Sequence, residues 1–282
     1  MPSLRILHTH FITSFHSTLI KECKERTMGS FNYFAIVVTS DTVMAISTFM
    51  ALYFAGVSTN WKIRIPSPLY QIVGLLPLTY FFGILHNLAE AFISERTNRT
   101  LDLILSTPCS RAGFVLGKAM ATVLLDTVRF LLAMTAATFI LLLSGFLPTS
   151  LNLNINIWSF IISTGLSILS LYGVGLILSA FGLARREFAY VHPIINTSIF
   201  FLSGYLYPVK YLPPTIQSIL YLFPFAHAME SIRNSVINGA SINGLIPHYT
   251  VMAIYAALTP VALIIFKHIE HNAKITGKLY EV

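Results

Sequence analysis

The stretch Ile157–Leu183, with the sequence IWSFIISTGLSILSLYGVGLILSAFGL, contains no charged residue. A helix needs about 20 residues, at a rise of about 1.5 Å each, to cross the hydrocarbon core of a bilayer. This stretch is long enough to do so, and short polar connections flank it. The sequence therefore predicts a transmembrane helix here.

Similar apolar stretches fill most of the remaining chain. The composition agrees, because 55% of the 282 residues are hydrophobic and 10% are charged, with a mean hydropathy of +0.72. A soluble domain has about 25% charged residues, which disfavours a large soluble helical protein. We predict one all-α integral membrane domain over residues 31–282. Its other five transmembrane helices are expected at Phe31–Val57, Leu69–Ile93, Phe114–Phe146, Phe188–Tyr207 and Tyr249–Phe266.

The distribution of basic residues predicts the orientation. Thirteen of the 18 Lys and Arg residues lie near the termini, in the connections after the second and fourth spans, or at the start of the third span. The positive-inside rule then places both termini in the cytoplasm of a cell-membrane protein. The net charge of +7 is explained by this membrane asymmetry, and we expect no nucleic-acid partner. Cys23 and Cys109 both fall on the cytoplasmic side, where a disulfide is not expected.

Residues 1–30 carry an apolar stripe at helical spacing. Its members are Leu4, Leu7, Phe11, Phe15 and Leu19, with polar residues between them. Such a stripe on the cytoplasmic side favours an amphipathic helix that lies on the membrane lipid. A poorly ordered tail is the alternative.

The segment Gly113–Ala119 superficially resembles a phosphate-binding loop. Its glycines are one residue too close, and Ala119 stands where a Ser or Thr would hold magnesium. We interpret it as the start of the third span, with glycines that allow close helix contact. No catalytic triad, paired carboxylates or metal-binding spacing of histidines is found in the sequence. The sequence therefore favours a non-catalytic chain that binds no cofactor, over an integral-membrane enzyme.

The connection between the second and third spans, Ser94–Pro108, is charged at first and then amphipathic. Leu101, Ile104 and Leu105 can share one helical face, and Pro108 ends the pattern. A short cytoplasmic helix of this kind can dock in a groove of a partner protein. The alternative is a helix that rests on the lipid surface.

Two motifs carry a family resemblance. Glu95-Arg96-x-x-x-Thr100-Leu101-Asp102-x-x-Leu105-Ser106-Thr107-Pro108, followed by Gly117-Lys118, closely resembles the cytoplasmic loop of type-2 ABC export permeases. The second motif runs from Pro193 to Arg233 and is similar to the fifth span of that family and the external segment after it. One position departs from the pattern, since the family usually has Gly where this chain has Arg99.

The resemblance implies a half-transporter. Two copies, or this chain and a close relative, would form the translocation path for a lipid, drug or glycoconjugate. Two separate ATPase subunits would bind ATP and Mg²⁺ and would push on the loop helix. The residues that the resemblance assigns to this coupling are Glu95, Arg96, Thr100, Leu101, Asp102 and Leu105. A membrane scaffold or receptor that docks a cytoplasmic partner without transport is the alternative.

The segment after the fifth span is predicted to form two short external helices. Prolines punctuate it, and Gly239 provides a helix C-cap. We expect the helices to re-enter the outer leaflet rather than form a simple surface loop. Its marker residues are Pro213, Pro214, Pro224, Glu230 and Arg233.

Three of the charged residues within the predicted spans are candidate functional positions, because charge there is costly and indicates function. Asp41 lies in the first span, whereas Asp126 and Arg129 share one face of the third. They form either a structural pair or polar positions along the path. Pro77 and Pro260 are expected to kink the second and sixth spans.

Overall fold

The computed structural model describes residues 2–28, 68–107, 110–145, 154–204, 209 and 212–275, together with isolated helical positions between 35 and 47. Most of the first predicted span, including Asp41, lies outside these residues. The chain is 87% helical and has no strand in the part that is described. The all-α prediction is therefore confirmed.

Ten α-helices are described, numbered here in chain order. They are α1 (Pro2–Met28), α2 (Pro68–Thr97), α3 (Leu101–Ser106), α4 (Arg111–Leu143), α5 (Ile157–Ala184), α6 (Phe188–Leu202), α7 (Pro214–Leu220), α8 (Pro224–Ile237), α9 (Ile246–Ala257) and α10 (Thr259–Ile275). A short 3₁₀ helix, Ile242–Leu245, leads into α9.

Helices α2, α4 and α5 follow the second, third and fourth predicted spans closely. The helix of the fifth predicted span, α6, ends at Leu202, earlier than predicted. The sixth is divided at Leu258, because Pro260 lacks the N–H of a continuous helix and its ring crowds the preceding turn. Among the described residues, three stretches are long and apolar enough to cross a membrane: Arg111–Leu143, Ile157–Ala184 and Ile242–Asn272. The six-span topology itself stays a prediction.

Helix α5 is the centre of the bundle and packs against α2, α8, α9 and α10. Its buried face consists largely of serines and glycines, which let neighbouring helices approach closely. A Cβ placed on Gly175 would lie 2.3 Å from Leu88 Cδ1, and one on Gly182 would lie 2.9 Å from the carbonyl oxygen of Ala89. Small side chains on α5 therefore set its close contact with α2.

Contacts at the helix termini define two ends of the bundle. At the first, called the basic end, α1, α3 and the start of α4 lie near the ends of α2, α5 and α10; Arg111 pairs there with Glu270 at 2.6 Å. At the second, called the α8 end, the Asn156 N–H donates to the carbonyl of Ser235. The predicted coupling loop lies at the first end, and the predicted external segment lies at the second.

Candidate functional site

A tight turn joins α2 to α3. The N–H of Thr100 donates to the carbonyl of Glu95 at 2.9 Å, and the N–H of Arg99 donates to that of Arg96 at 3.0 Å. These two bonds form a Schellman motif, which requires a left-handed residue that is usually glycine. Arg99 occupies that position with φ +59°. The departure from the family pattern therefore keeps the turn and adds backbone strain to it.

The apolar face of helix α3 packs against the core of the same chain. Leu101 is 4% exposed and belongs to the core cluster that includes Phe92 and Phe114, and Ile104 packs against the same core. Leu103, by contrast, is 66% exposed. A short link between two long packed helices rests its apolar side on them, so Leu101 is not free to enter a partner's groove. The coupling role of Leu101 stays a prediction, and its side chain is buried within its own chain.

The side chains of two other predicted coupling residues, Asp102 and Leu105, lie outside the described part of the structure. Their backbones belong to α3.

A buried charge cluster joins three helices beside α3. The ammonium group of Lys118 lies 3.4 Å from Glu95 Oε1, 3.5 Å from Glu22 Oε1 and 3.0 Å from the hydroxyl of Ser94. The Thr100 hydroxyl donates to the other carboxylate oxygen of Glu95. Lys118, Glu22 and Glu95 are each less than 10% exposed. The motif residues Glu95, Thr100 and Lys118 therefore form one site, with one cation between two carboxylates.

Glu22 is the member of this cluster that sequence reasoning missed. It belongs to α1, which is helical over Pro2–Met28 and packs against α4. The buried face of α1 carries Ser14, Thr18 and Glu22 at four-residue spacing. This stripe of polar residues is the signal in the sequence that indicates a second packed face of α1.

The partner of the α1 stripe is the glycine pair at the start of α4. A Cβ on Gly117 would lie 2.6 Å from the carbonyl oxygen of Phe15, and one on Gly113 would lie 2.9 Å from that of Phe11. The backbone N–H of Ser110 donates to Ser14 Oγ at 2.9 Å. The segment is thus the start of a helix with close contacts, as predicted. Helix α1 is anchored on α4, and its position on the membrane lipid stays a prediction.

Arg96 points away from this cluster. Its guanidinium donates to the carbonyls of Leu183 at 2.9 Å and Gly182 at 3.4 Å, at the C-terminus of α5. A cation is favourable there because the last carbonyls of a helix carry partial negative charge. Burial lowers the pKa of Arg96, and the positive charge of Arg186 adds to that shift. Arg96 therefore connects α2 to α5.

Asp126 and Arg129 form the pair that their spacing predicts. Arg129 Nη1 donates to Asp126 Oδ1 at 2.9 Å, and Asp126 is buried. The other oxygen of Asp126 occupies the space beside Gly83 of α2, where a Cβ would lie 2.6 Å from it.

At the α8 end, the prolines that mark the predicted external segment lie at the starts of helices. Pro213 precedes α7, while Pro214 and Pro224 are the first residues of α7 and α8. Glu230 accepts a hydrogen bond from the Tyr221 hydroxyl at 2.8 Å. Most of α8 is buried, and it packs against α2, α5 and α9. A simple surface loop is therefore the wrong description of α8, although re-entry into a membrane leaflet stays a prediction.

Arg233 of α8 is 2% exposed and donates to the carbonyl of Gly204 at 2.8 Å. Its Nη2 lies only 2.1 Å from where a Cβ of Gly74 would be. The guanidinium of Arg233 therefore occupies space that is free because Gly74 has no side chain.

Comparison with known sequences gives the family. The profile of the ABC-2 family transporter proteins matches residues 69–265, which is more than half of the chain and includes both motifs. The chain belongs to the ABC-2 family of transporter proteins. It is therefore a membrane transport protein, and the cluster of Lys118, Glu95 and Thr100 is a feature of this ABC-2 transporter's basic end.

Curated relatives of this ABC-2 transporter include three proteins called Nodulation protein J. The one from Rhizobium leguminosarum bv. viciae is 33% identical over 92 residues, which are 33% of this chain and 34% of the relative. That from Sinorhizobium fredii (strain NBRC 101917 / NGR234) is 30% identical over 95 residues, 34% and 35% of the two chains. That from Neorhizobium galegae is 27% identical over 104 residues, 37% and 38%. The similarity spans about a third of these relatives.

Proposed function

We propose that this ABC-2 transporter is the permease subunit of an exporter that a separate ATPase drives. Two permease subunits, identical or related, form the path for a lipid, drug or glycoconjugate in the cell membrane, with both termini in the cytoplasm. ATP and Mg²⁺ bind to two ATPase subunits and not to this chain. Asp126 and Arg129 are polar positions along the path, and α7 and α8 cover its outer mouth.

The observation that supports this proposal best is the attachment of α3. Leu101 fixes α3 to the core, and the cluster around Lys118 connects the end of α2, the turn before α3 and the start of α4. A force applied to α3 is therefore transmitted to two long helices at once. A loop that merely rested on lipid would need no such buried connection.

The surface that meets the ATPase is the outer side of this element. Its exposed residues are Arg99, Leu103, Ser106 and Thr107. Leu103 is its large apolar side chain, and burying such a side chain in a groove contributes about 1.5–3 kcal/mol. Leu103 thus replaces Leu101 as the proposed contact, whereas Leu101 positions the helix.

A pair of substitutions two residues apart tests this assignment. Leu103→Asp should leave the folded permease intact and reduce its affinity for the ATPase about tenfold or more, because about 1.4 kcal/mol is a factor of ten. Leu101→Asp should instead lower the amount of folded permease, since it buries an unpaired carboxylate. Co-purification of the ATPase encoded nearest to this chain, at equal amounts of folded permease, measures the first effect. Detergent size-exclusion chromatography measures the second.

Equal recovery of the ATPase with Leu103→Asp and the unaltered chain would contradict the docking surface. Transport then separates the exporter from a scaffold. Reconstituted vesicles holding both subunits should move substrate when ATP is present, whereas a scaffold would bind the ATPase without any ATP-dependent movement. A labelled ATP analogue should bind the ATPase and not the isolated permease.

A further inference from the structure

Two helices outside the coupling site bring together two imidazoles and a carboxylate. His86 and Glu90 lie one turn apart on α2, and His192 lies on α6. His86 Nε2 is 3.1 Å from Glu90 Oε2, and His192 Nδ1 is 4.0 Å from Glu90 Oε1. One ligand atom from each residue lies within 4.8 Å of the other two.

This donor set has the composition of a transition-metal site. Zinc bonds of about 2.0–2.2 Å to nitrogen and oxygen place tetrahedral ligands roughly 3.3 Å apart. The His86–Glu90 distance already agrees with this spacing. The three ligand atoms all lie within 4.8 Å of one another, so shifts of about 1.5 Å or less bring the remaining pairs to it. Two histidines and one carboxylate are also a known zinc set that leaves a fourth position open.

Asn196 provides the second observation. Its Nδ2 lies 3.1 Å from His86 Nδ1 and 3.0 Å from His192 Nε2, which are the ring nitrogens facing away from Glu90. In this orientation the amide donates to both rings, so their protons lie on the nitrogens that face Glu90. That network describes the site without an ion.

If the Asn196 amide is rotated by 180°, its hydrogen bonds match those that the two histidines need when an ion is bound. Metal-bound neutral imidazoles carry their protons on the remote nitrogens and need an acceptor there. Rotation about the Asn196 side chain exchanges Nδ2 for Oδ1, which then accepts from both rings at similar distances. One side chain thus supports both states of the two histidines, and in the second state it fixes their metal-binding orientation.

We propose that His86, Glu90 and His192 bind one zinc ion and that Asn196 orients both histidines. The site is open on the side of His86 and Glu90, whose side chains are 43% and 40% exposed, while His192 is buried at 2%. The ion connects α2, which leads into α3, to α6, which leads toward the α8 end. A bound ion therefore restrains one of these helices against the other.

Zinc binding to the full chain in detergent micelles tests the proposal. After chelator treatment, titration calorimetry with Zn²⁺ alone should show one ion per chain. Saturating Zn²⁺ should raise the thermal midpoint by about 5 °C, because a ligand that binds only the folded state stabilises it. No binding by a monodisperse, folded chain would overturn the proposal.

Variants then locate the ion. His192→Ala should weaken zinc binding by at least about 100-fold, and Glu90→Gln, whose side chain is partly exposed, serves if that variant does not fold. His248→Ala is the matched control, because His248 lies in a second histidine pair, 3.0 Å from His227. Loss of binding in the His248 variant with full binding in the His192 variant would overturn the assignment.

Asn196 is tested by two substitutions. Asn196→Asp keeps an acceptor and should retain zinc, whereas Asn196→Leu should weaken binding about 10–100-fold. Equal losses in both variants would overturn the orienting role. Neither substitution should change the number of ions bound.

Discussion

Among the described residues, each end of the bundle has a buried cation, and the two ends accommodate it differently. At the basic end, Lys118 lies between the carboxylates of Glu22 and Glu95, which come from α1 and α2. At the α8 end, Arg233 donates to the carbonyl of Gly204 and lies in the space left by Gly74. The contacts described for the first cation are with opposite charges, whereas those described for the second are a hydrogen bond to a backbone oxygen and a close fit beside Gly74.

This difference predicts that the two ends respond to different kinds of substitution. Attraction between charges falls off slowly with distance, so the contacts of Lys118 can lengthen as helices move without failing abruptly. A close-packed contact tolerates very little displacement. We therefore expect the basic end to respond to changes of charge and the α8 end to changes of volume. The predictions below test that contrast from the largest effect to the smallest.

Lys118→Met should have the largest effect, because it leaves two buried carboxylates without their cation. Removing one partner of a buried ion pair costs about 3–5 kcal/mol, which should lower the thermal midpoint by roughly 10 °C. Lys267→Met, at an exposed position, is the control. Adding Glu22→Gln to Lys118→Met should restore part of the loss. If it does not, charge is not what stabilises the basic end.

Asp126→Asn should cost about 1.5–3 kcal/mol, the usual contribution of a hydrogen bond to a charged group. Arg129 is then left without its carboxylate in a helix expected to cross the membrane. The double variant with Asp126→Asn and Arg129→Gln should therefore lose less stability than the sum of the losses of the two single variants. Thermal unfolding of the two single variants and the double variant measures this coupling. Simple additivity would show that the two residues act separately and that paired charge matters only at the basic end.

Gly74→Ala should destabilise the α8 end by about 1–3 kcal/mol, because its new methyl group overlaps the guanidinium of Arg233. Gly165→Ala is the matched control, since nothing lies within 4 Å of a Cβ there. That change should be neutral or should stabilise the helix by up to about 1 kcal/mol. Equal midpoints for the two variants would mean that volume does not limit the α8 end.

Arg99→Gly should stabilise the chain by about 0.5–1 kcal/mol, because glycine adopts the left-handed conformation without a Cβ clash. Arg99→Ala keeps the Cβ and removes the charge, so it should bring no gain. The thermal midpoints of the two variants separate strain from charge. A gain with alanine instead would show that charge repulsion, and not backbone strain, is the cost at this turn of the basic end.

Local features of this protein could be predicted from the sequence. Helices α2, α4 and α5 begin and end where charge, proline and glycine interrupt long apolar runs. The break near Pro260 and the pairing of Asp126 with Arg129 follow from backbone chemistry and from a period of 3.6 residues. Both motifs that indicated an ABC-2 transporter are contiguous patterns of the same kind. Each of these features depends on residues close together in the chain.

The packing of whole helices decided the rest. Periodicity placed Leu101 on an apolar face of α3, but the positions of α2 and α4 turned that face inward and left Leu103 outside. Lys118 meets Glu22, and His86 meets His192, only because separate helices pack with those sides in contact. A helix fixes which residues share a face through its own hydrogen bonds. Which faces then meet depends on side-chain shape and charge summed over the bundle, and no single segment of the sequence contains that sum.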